Sequence, residues 1–238
     1  MAIPSKLRLE FVTPERAIVH EEVDELQLPG EGGFHPALVA AYRPFDTQAE
    51  AYRGIRSQIL LHWVQHERHP LAIVSAGRAE GRSVLAANLA ISFAQLGRRT
   101  LLIDADLRHG VQHQLFNLPD SMGLGPLLAE FDLTARPMQN EQIADLFLLP
   151  AGYILPNPQE LITRAQFGVL LREANDHFDV VIVDTPASSE AADAVMIAAQ
   201  CGSAVMIGAR FRSETKLLNK LARSLRRNCV DIVGAVLN

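Results

Sequence analysis

The sequence is short of cysteine and of aromatic residues, with two cysteines, one tryptophan and three tyrosines among 238 residues. Cys201 and Cys229 lack CxxC spacing, and one pair in so long a chain makes no disulfide framework, so a reducing compartment is the expected setting. An excess of positive charge is missing too. Lys and Arg number 22 against 27 Asp and Glu, a formal charge of −5, which excludes a general electrostatic pull toward nucleic acid or anionic lipid. Nor is there a long apolar run: MAIPSKLRLEF has no apolar centre of a signal peptide, and the window 191–209 is broken by Asp193, Gln200 and Ser203. That window reads as a buried helix followed by a strand. What is present is 48% hydrophobic and 21% charged residues, enough for a substantial core and unlike a disordered chain.

The chain divides near residue 45. Residues 1–45 read as a small N-terminal appendage: Leu7, Leu9 and Phe11 alternate as in a strand, acids gather at Glu21, Glu22, Asp24 and Glu25, and PGEGG at 29–33 makes a turn. Residues 7–33 resemble the opening of the epsilon subunit of rotary ATP synthases, but that β-sandwich needs more chain than precedes Tyr42, and no activity follows. From residue 46 to 238 helices and strands alternate, the pattern of a mostly parallel sheet covered by helices on both faces. Strands are expected at 71–75, 100–103, 180–183, 204–207 and 232–237, and helices at 83–96, 159–175, 189–199 and 214–228. A further helix should start at Thr47, where Thr47-Gln-Ala-Glu50 reads as a capping box and Tyr52, Ile55, Ile59 and Trp63 form an apolar stripe.

The chemistry concentrates at three strand ends. AGRAEGRS at 76–83 follows the first strand and opens a helix, so backbone N–H groups of Gly77, Arg78, Ala79, Glu80, Gly81, Arg82, Ser83 and Val84 would face a phosphate. The spacing is that of a P-loop except that Arg82 stands in the lysine position, which replaces a compact ammonium by a planar fork. Ala79 falls where such a loop often needs positive φ, which glycine adopts more easily than alanine. The second strand ends LLIDADLRH, bringing Asp104 and Asp106 to the carboxyl edge of the sheet, and VVIVDTP presents Asp184 there as a Walker B acid. Carboxylates with the Ser83 hydroxyl suit Mg2+ on ATP phosphates, and a carboxylate near an acceptor hydroxyl can take its proton.

Together these residues resemble the bacterial tyrosine kinase (BY-kinase) family, especially the tyrosine autokinases of exopolysaccharide export. The likeness covers 46–238 and rests on EAYRGIR at 50–56, SAGRAEGRS at 75–83, LLIDADLR at 101–108, LPAGYILPNPQELI at 149–162, FDVVIVDTP at 178–186 and the closing VGAVLN. It implies a doubly wound P-loop fold and a Mg-ATP-dependent tyrosine kinase that regulates exopolysaccharide or capsule biosynthesis. By the resemblance Ser83, Asp104, Asp106 and Asp184 hold magnesium, Asp104 also activates the acceptor tyrosine, and Arg82 occupies the P-loop lysine position. Glu50, Arg53 and Arg56 would join subunits into rings. The resemblance further implies a cytoplasmic setting at the inner face of the membrane, a membrane-embedded co-polymerase or activator as partner, and no nucleic-acid partner.

Two departures bear on activity. The three tyrosines are Tyr42, Tyr52 and Tyr153, so the family's tyrosine cluster after the last strand is not seen, and Arg82 replaces the lysine. Two rivals follow: a catalytically impaired nucleotide-binding scaffold of the same fold, and a MinD- or ParA-type ATPase. The latter carries a second lysine where this chain has Gly77. An Arg82 folded into the phosphate cavity, filling the space ATP needs, would collapse the kinase assignment and leave only the architecture. In related ATPases an asparagine ending the last strand touches adenine, the place of Asn238. Outside this site, His62, His66 and His69, and the pair His109 and His113, read as polar faces rather than metal sites. Residues 210–227 carry seven bases against Glu214 around Leu217, Leu218, Leu221 and Leu225, and read as a sheet-covering helix in preference to a lipid or DNA contact.

Overall fold

Apolar runs that are buried on both sides pair into one sheet, and the glycine-bearing loop hangs from its middle. A computed structural model describes residues 33–43, 45–66, 69–119, 123–130, 136–188 and 192–238. In chain order the elements are α1 (Val39–Tyr42), α2 (Thr47–Gln65), β1 (Leu71–Ser75), α3 (Arg82–Ala94), β2 (Thr100–Asp104), α4 (Gln112–Leu115), α5 (Leu124–Glu130), β3 (Met138–Gln139) and β4 (Leu146–Leu149). There follow α6 (Pro158–Thr163), α7 (Ala165–His177), β5 (Val180–Asp184), α8 (Asp193–Cys201), β6 (Ser203–Gly208), α9 (Thr215–Arg227) and β7 (Asp231–Leu237). The sheet order is β3-β4-β2-β5-β1-β6-β7, parallel throughout except for β3 against β4.

Each central strand feeds two cores, because successive side chains leave a strand on opposite faces. Leu71, Ile73, Leu102 and Ile182 pack with α3 and Ile59 of α2, whereas Ala72, Val74, Leu101, Ile103 and Val183 pack with α5 to α9. This is the doubly wound α/β architecture that the sequence predicts. Helix α3 is sealed between the sheet and α2, so every residue from Leu85 to Ala94 is buried. Its one deep amide, Asn88, donates to Ala37 O and Val84 O and accepts from the Ala40 N–H at 2.9 Å. Through that contact, and through buried Phe34, Leu38 and Ala40, residues 33–43 join the core from the end of the expected appendage. Residues 1–32, with the predicted strand at 7–11, the acidic cluster and most of the turn, lie outside the described residues.

Several expected boundaries shift for local reasons. Helix α2 does start at Thr47, but Asp46 is its cap, accepting from the Gln48 N–H at 2.8 Å, so Thr47 is the first helical residue and no capping box forms. The helix predicted at 159–175 is two, α6 and α7, parted at Arg164, whose extended ψ of 147 breaks the hydrogen-bond ladder. The helix predicted from 189 is described from Asp193, since 189–191 lie outside the described residues. Strands β3 and β4 and helices α1, α4 and α5 were not anticipated. Cys201 is buried, which pushes its thiol upward, Cys229 is exposed, and both are free. Among the described residues no helix is long and apolar enough to cross a membrane.

Candidate functional site

Strands β1, β2 and β5 end side by side, which brings the predicted residues together at the carboxyl edge of the sheet. Parallel register sets Asp104 directly beside Asp184, and the loop from β1 enters α3 next to them. The turn into α3 needs positive φ twice. Gly81 adopts φ 89 as the residue before the helix, and a Cβ there would run into the Asn238 amide. Ala79 takes φ 52, so the left-handed position anticipated for the loop is present and occupied by a residue for which it is strained. Arg78 and Ala79 lie exposed at the loop tip, and Val84 is half-buried.

Glu80 does not lie open to a ligand. Its buried carboxylate accepts the Gly77 N–H at 3.0 Å and the Ser213 hydroxyl, so one loop amide is already satisfied from within. Beside it, Arg212 donates to Ala79 O at 3.3 Å and the Asn238 amide donates to Glu80 O at 3.3 Å. Asn238 therefore braces the phosphate loop.

Arg82 turns into the acid cluster. Its Nε donates to Asp184 Oδ1 at 3.1 Å, Nη1 to the Ser75 hydroxyl at 2.9 Å, and Nη2 to Asp106 Oδ2 at 3.3 Å. The guanidinium fork thus bridges two acids that the sequence assigns to a metal. Asp104 makes no contact with it. Asp104 accepts the Asp106 N–H at 3.1 Å and the Gln112 N–H at 3.0 Å, while Asp106, past the strand end, accepts from the Arg108 and His109 N–H groups.

Charge in this cluster is unbalanced. Burial pushes the Asp104 carboxyl well above the usual carboxylate range, the neighbouring Asp184 and Asp106 push further, and the two backbone N–H groups offset part of this. Burial also raises Asp184, but the Arg82 guanidinium, the Ser83 hydroxyl and the Gln112 amide pull it back. Three carboxylates face one guanidinium.

Three contributors, Gln112, Gly110 and Ser213, lie outside the motifs, and a fourth, Ser75, opens one of them without a role assigned. Gln112, 2% exposed, donates from Nε2 to Asp184 Oδ2 at 2.9 Å and to Ser83 O at 3.0 Å, and no local pattern marks it. Gly110 permits the chain to close over Asp104, since a Cβ there would stand 2.6 Å from Ala151 Cβ and 2.8 Å from Asp104 Oδ2. Ser75 holds Arg82, and Ser213 holds Glu80. The three residues expected to join subunits are split: Arg53 pairs with Glu50 at 2.7 Å, whereas Arg56 turns inward and donates to Ser92 O of α3 at 2.7 Å. His62 contacts Asp231 at 2.6 Å and stacks on His66.

The donor set fits magnesium, a hard cation that takes oxygen ligands. Gln112 Oε1 is buried without a hydrogen-bond partner beside Ser83 and Asp184, and the excess of acid over base calls for cationic charge. Among the described residues no three of His, Cys, Asp and Glu are arranged to chelate a metal by themselves. Magnesium would then draw on Ser83 and part of the carboxylate set, with water and phosphate completing its shell, as is usual for nucleotide sites.

No protein-family profile matches the chain. Individual relatives do. It is 33% identical over 201 residues to the tyrosine-protein kinase YwqD of Bacillus subtilis, covering 84% of this chain and 85% of that protein. To the tyrosine-protein kinase Etk of Escherichia coli it is 34% identical over 202 residues, 84% of this chain but 28% of Etk. The solved kinase domain of Etk superposes with a TM-score of 0.81 at 31% identity, over 90% of this chain and 84% of that domain. Sequence and architecture agree on one assignment: this chain belongs to the bacterial tyrosine kinase (BY-kinase) family.

Proposed function

We propose that the chain is a Mg-ATP-dependent protein tyrosine kinase, phosphorylating itself or a second copy, and that it regulates exopolysaccharide or capsule biosynthesis and export. The observation that carries this reading is the arrangement at β1, β2 and β5: a left-handed glycine opening α3 beside buried Asp104, Asp106 and Asp184. Magnesium, when bound with ATP, would supply positive charge to the phosphates during transfer. Ser83, Asp104, Asp106 and Asp184 would hold it. Loop amides from Gly81 to Val84, at the positive end of α3, would orient the phosphates. Asp104 has a raised proton affinity, which suits the group that takes the proton from a tyrosine hydroxyl as that oxygen bonds phosphorus.

In this reading Arg82 has two positions. Without ligand it is the internal cation of Asp106 and Asp184, and with Mg-ATP bound its guanidinium would serve the phosphates while the acids served the metal. The inward Arg82 specifically favours the second reading, a scaffold that binds nucleotide poorly or not at all. Subunit rings would use the exposed Glu50 and the half-buried Arg53, with Arg56 leaving Ser92 to take part. A cytoplasmic place at the inner face of the membrane, through a membrane-embedded co-polymerase, completes the proposal.

Labelled-ATP transfer by the full chain, to itself and to a tyrosine-containing polymer, tests it. Label on tyrosine that disappears in Asp104→Asn supports the kinase. Equal label in both removes Asp104 from its role. Titration calorimetry with Mg-ATP separates the scaffold: no heat up to millimolar nucleotide, in wild type and in Arg82→Lys alike, overturns the kinase reading.

A further inference from the structure

Helix α9 does cover the sheet, as its leucine pattern predicts, yet its basic residues are unused by the fold. Leu221 and Leu225 are buried against β-strands and α8 and Leu218 packs partly buried on the same core, so most of the apolar stripe is taken, Leu217 staying exposed. Lys216, Lys220, Arg223 and Arg227 recur at i, i+4, i+7 and i+11, which places them within about 60° of arc on the side away from those leucines. They form an outward row about 16 Å long. Arg226 flanks it, and Arg210 and Arg212 precede the helix. Among the described residues none of these seven bases is in an ion pair. Residues 210–227 thus concentrate a formal +6 in a chain whose total is −5.

Between the two leading arginines stands Phe211. Its side chain is wholly exposed, its backbone is held at φ 58, and the Arg210 guanidinium lies 5.8 Å from the ring centre. The loop that carries it is not loose, because the neighbouring Arg212 and Ser213 are fastened to the phosphate loop at Ala79 and Glu80. A fixed, exposed phenyl ring in a basic array gains most by leaving water.

We infer that this face docks on an anionic lipid bilayer, with the α9 row lying over acidic headgroups and Phe211 entering the interface. The chemistry matches that of a polybasic segment with one apolar wedge. Single-stranded nucleic acid fits less well, since it needs several stacking platforms along the strand and Phe211 is the one aromatic residue in 210–227. The inference does not depend on phosphotransfer. It gives the domain its own contact with the membrane.

Sedimentation of the full chain with vesicles tests it, using phosphatidylcholine alone against phosphatidylcholine with about 30% phosphatidylglycerol at about 0.1 M salt. Binding is expected with the anionic vesicles and not with the neutral ones, and should fall at least about tenfold at 0.5 M salt. The triple variant Lys220→Glu, Arg223→Glu, Arg227→Glu should lose about tenfold or more, and Phe211→Ser about two- to threefold. Equal binding to both vesicle types, no binding to either, or an unaffected triple variant of wild-type melting temperature overturns the inference. Should that variant fold poorly, the salt and lipid dependence of wild type decides alone. A duplex oligonucleotide bound more tightly than the anionic vesicles would assign the face to nucleic acid instead and also overturn it.

Discussion

At the carboxyl edge of the sheet one arginine stands among three carboxylates; around α9 seven bases stand with Glu214 alone. The same side-chain chemistry is used in opposite ways. Arg82 is 10% exposed at its side chain, and its removal would leave Asp184 and Asp106 unmatched in a poorly solvated place. The bases of α9 keep their hydration, so their mutual repulsion is weak and screened by salt. A buried charge is therefore part of the stability of this fold, while an exposed row of charge acts on what approaches it.

That contrast can be broken first at Arg82. Arg82→Ala should destabilise the metal-free protein by about 3 kcal/mol at pH 8, read from urea denaturation. The loss should shrink at acid pH. Arg82 lowers Asp184, so its removal raises a carboxyl that burial already holds high. A raised carboxyl costs nothing below its unfolded value and costs most above its folded one, so the penalty grows with pH. A pH-independent loss would mean that Arg82 acts by packing.

Next comes the tight closure over Asp104. Gly110→Ala should cost about 2 kcal/mol, because the new methyl meets Ala151 and the Asp104 carboxylate together, and thermal melting would report it as a drop of several degrees. A smaller and opposite effect is expected at the loop tip. Ala79→Gly relieves the left-handed strain at φ 52 and should stabilise by about 0.5–1 kcal/mol. Lys220→Glu with Arg223→Glu closes the series, with a change in stability under about 0.5 kcal/mol in either direction. A large effect there would mean that the α9 bases are fixed by contacts the fold needs.

Much of this was readable from the chain. The strands β1, β2, β5 and β6 announce themselves as unbroken apolar runs, since burial on both faces removes the polar alternation, and β7 reads alike although it ends the sheet order and stays partly exposed. AEGRS, DAD and VVIVD lie at their ends, so their meeting at one edge follows once the strands are parallel. β4 is hard to read because a short continuous apolar run such as Leu146–Leu149 does not by its period separate a buried strand from a buried helix segment. Gln112 escaped because its place in the site depends on the turn after Asp104, not on a pattern of its own. The motif marks the backbone N–H of Glu80 for a phosphate and leaves its carboxylate unassigned, which the structure gives to Gly77 and Ser213.

By itself the sequence determined the order of β1, β2, β5, β6 and β7 along the chain and which residues reach the carboxyl edge, because apolar runs and the spacing of the motifs after them fix those. Only the tertiary structure decided where charges go. Whether Arg82 points outward or into the acids, whether Arg56 stays on the surface or seeks Ser92, and how far Asp104 is driven up depend on desolvation and on neighbours distant in the chain. Those energies exist only once α2, α3 and the strand ends have enclosed them.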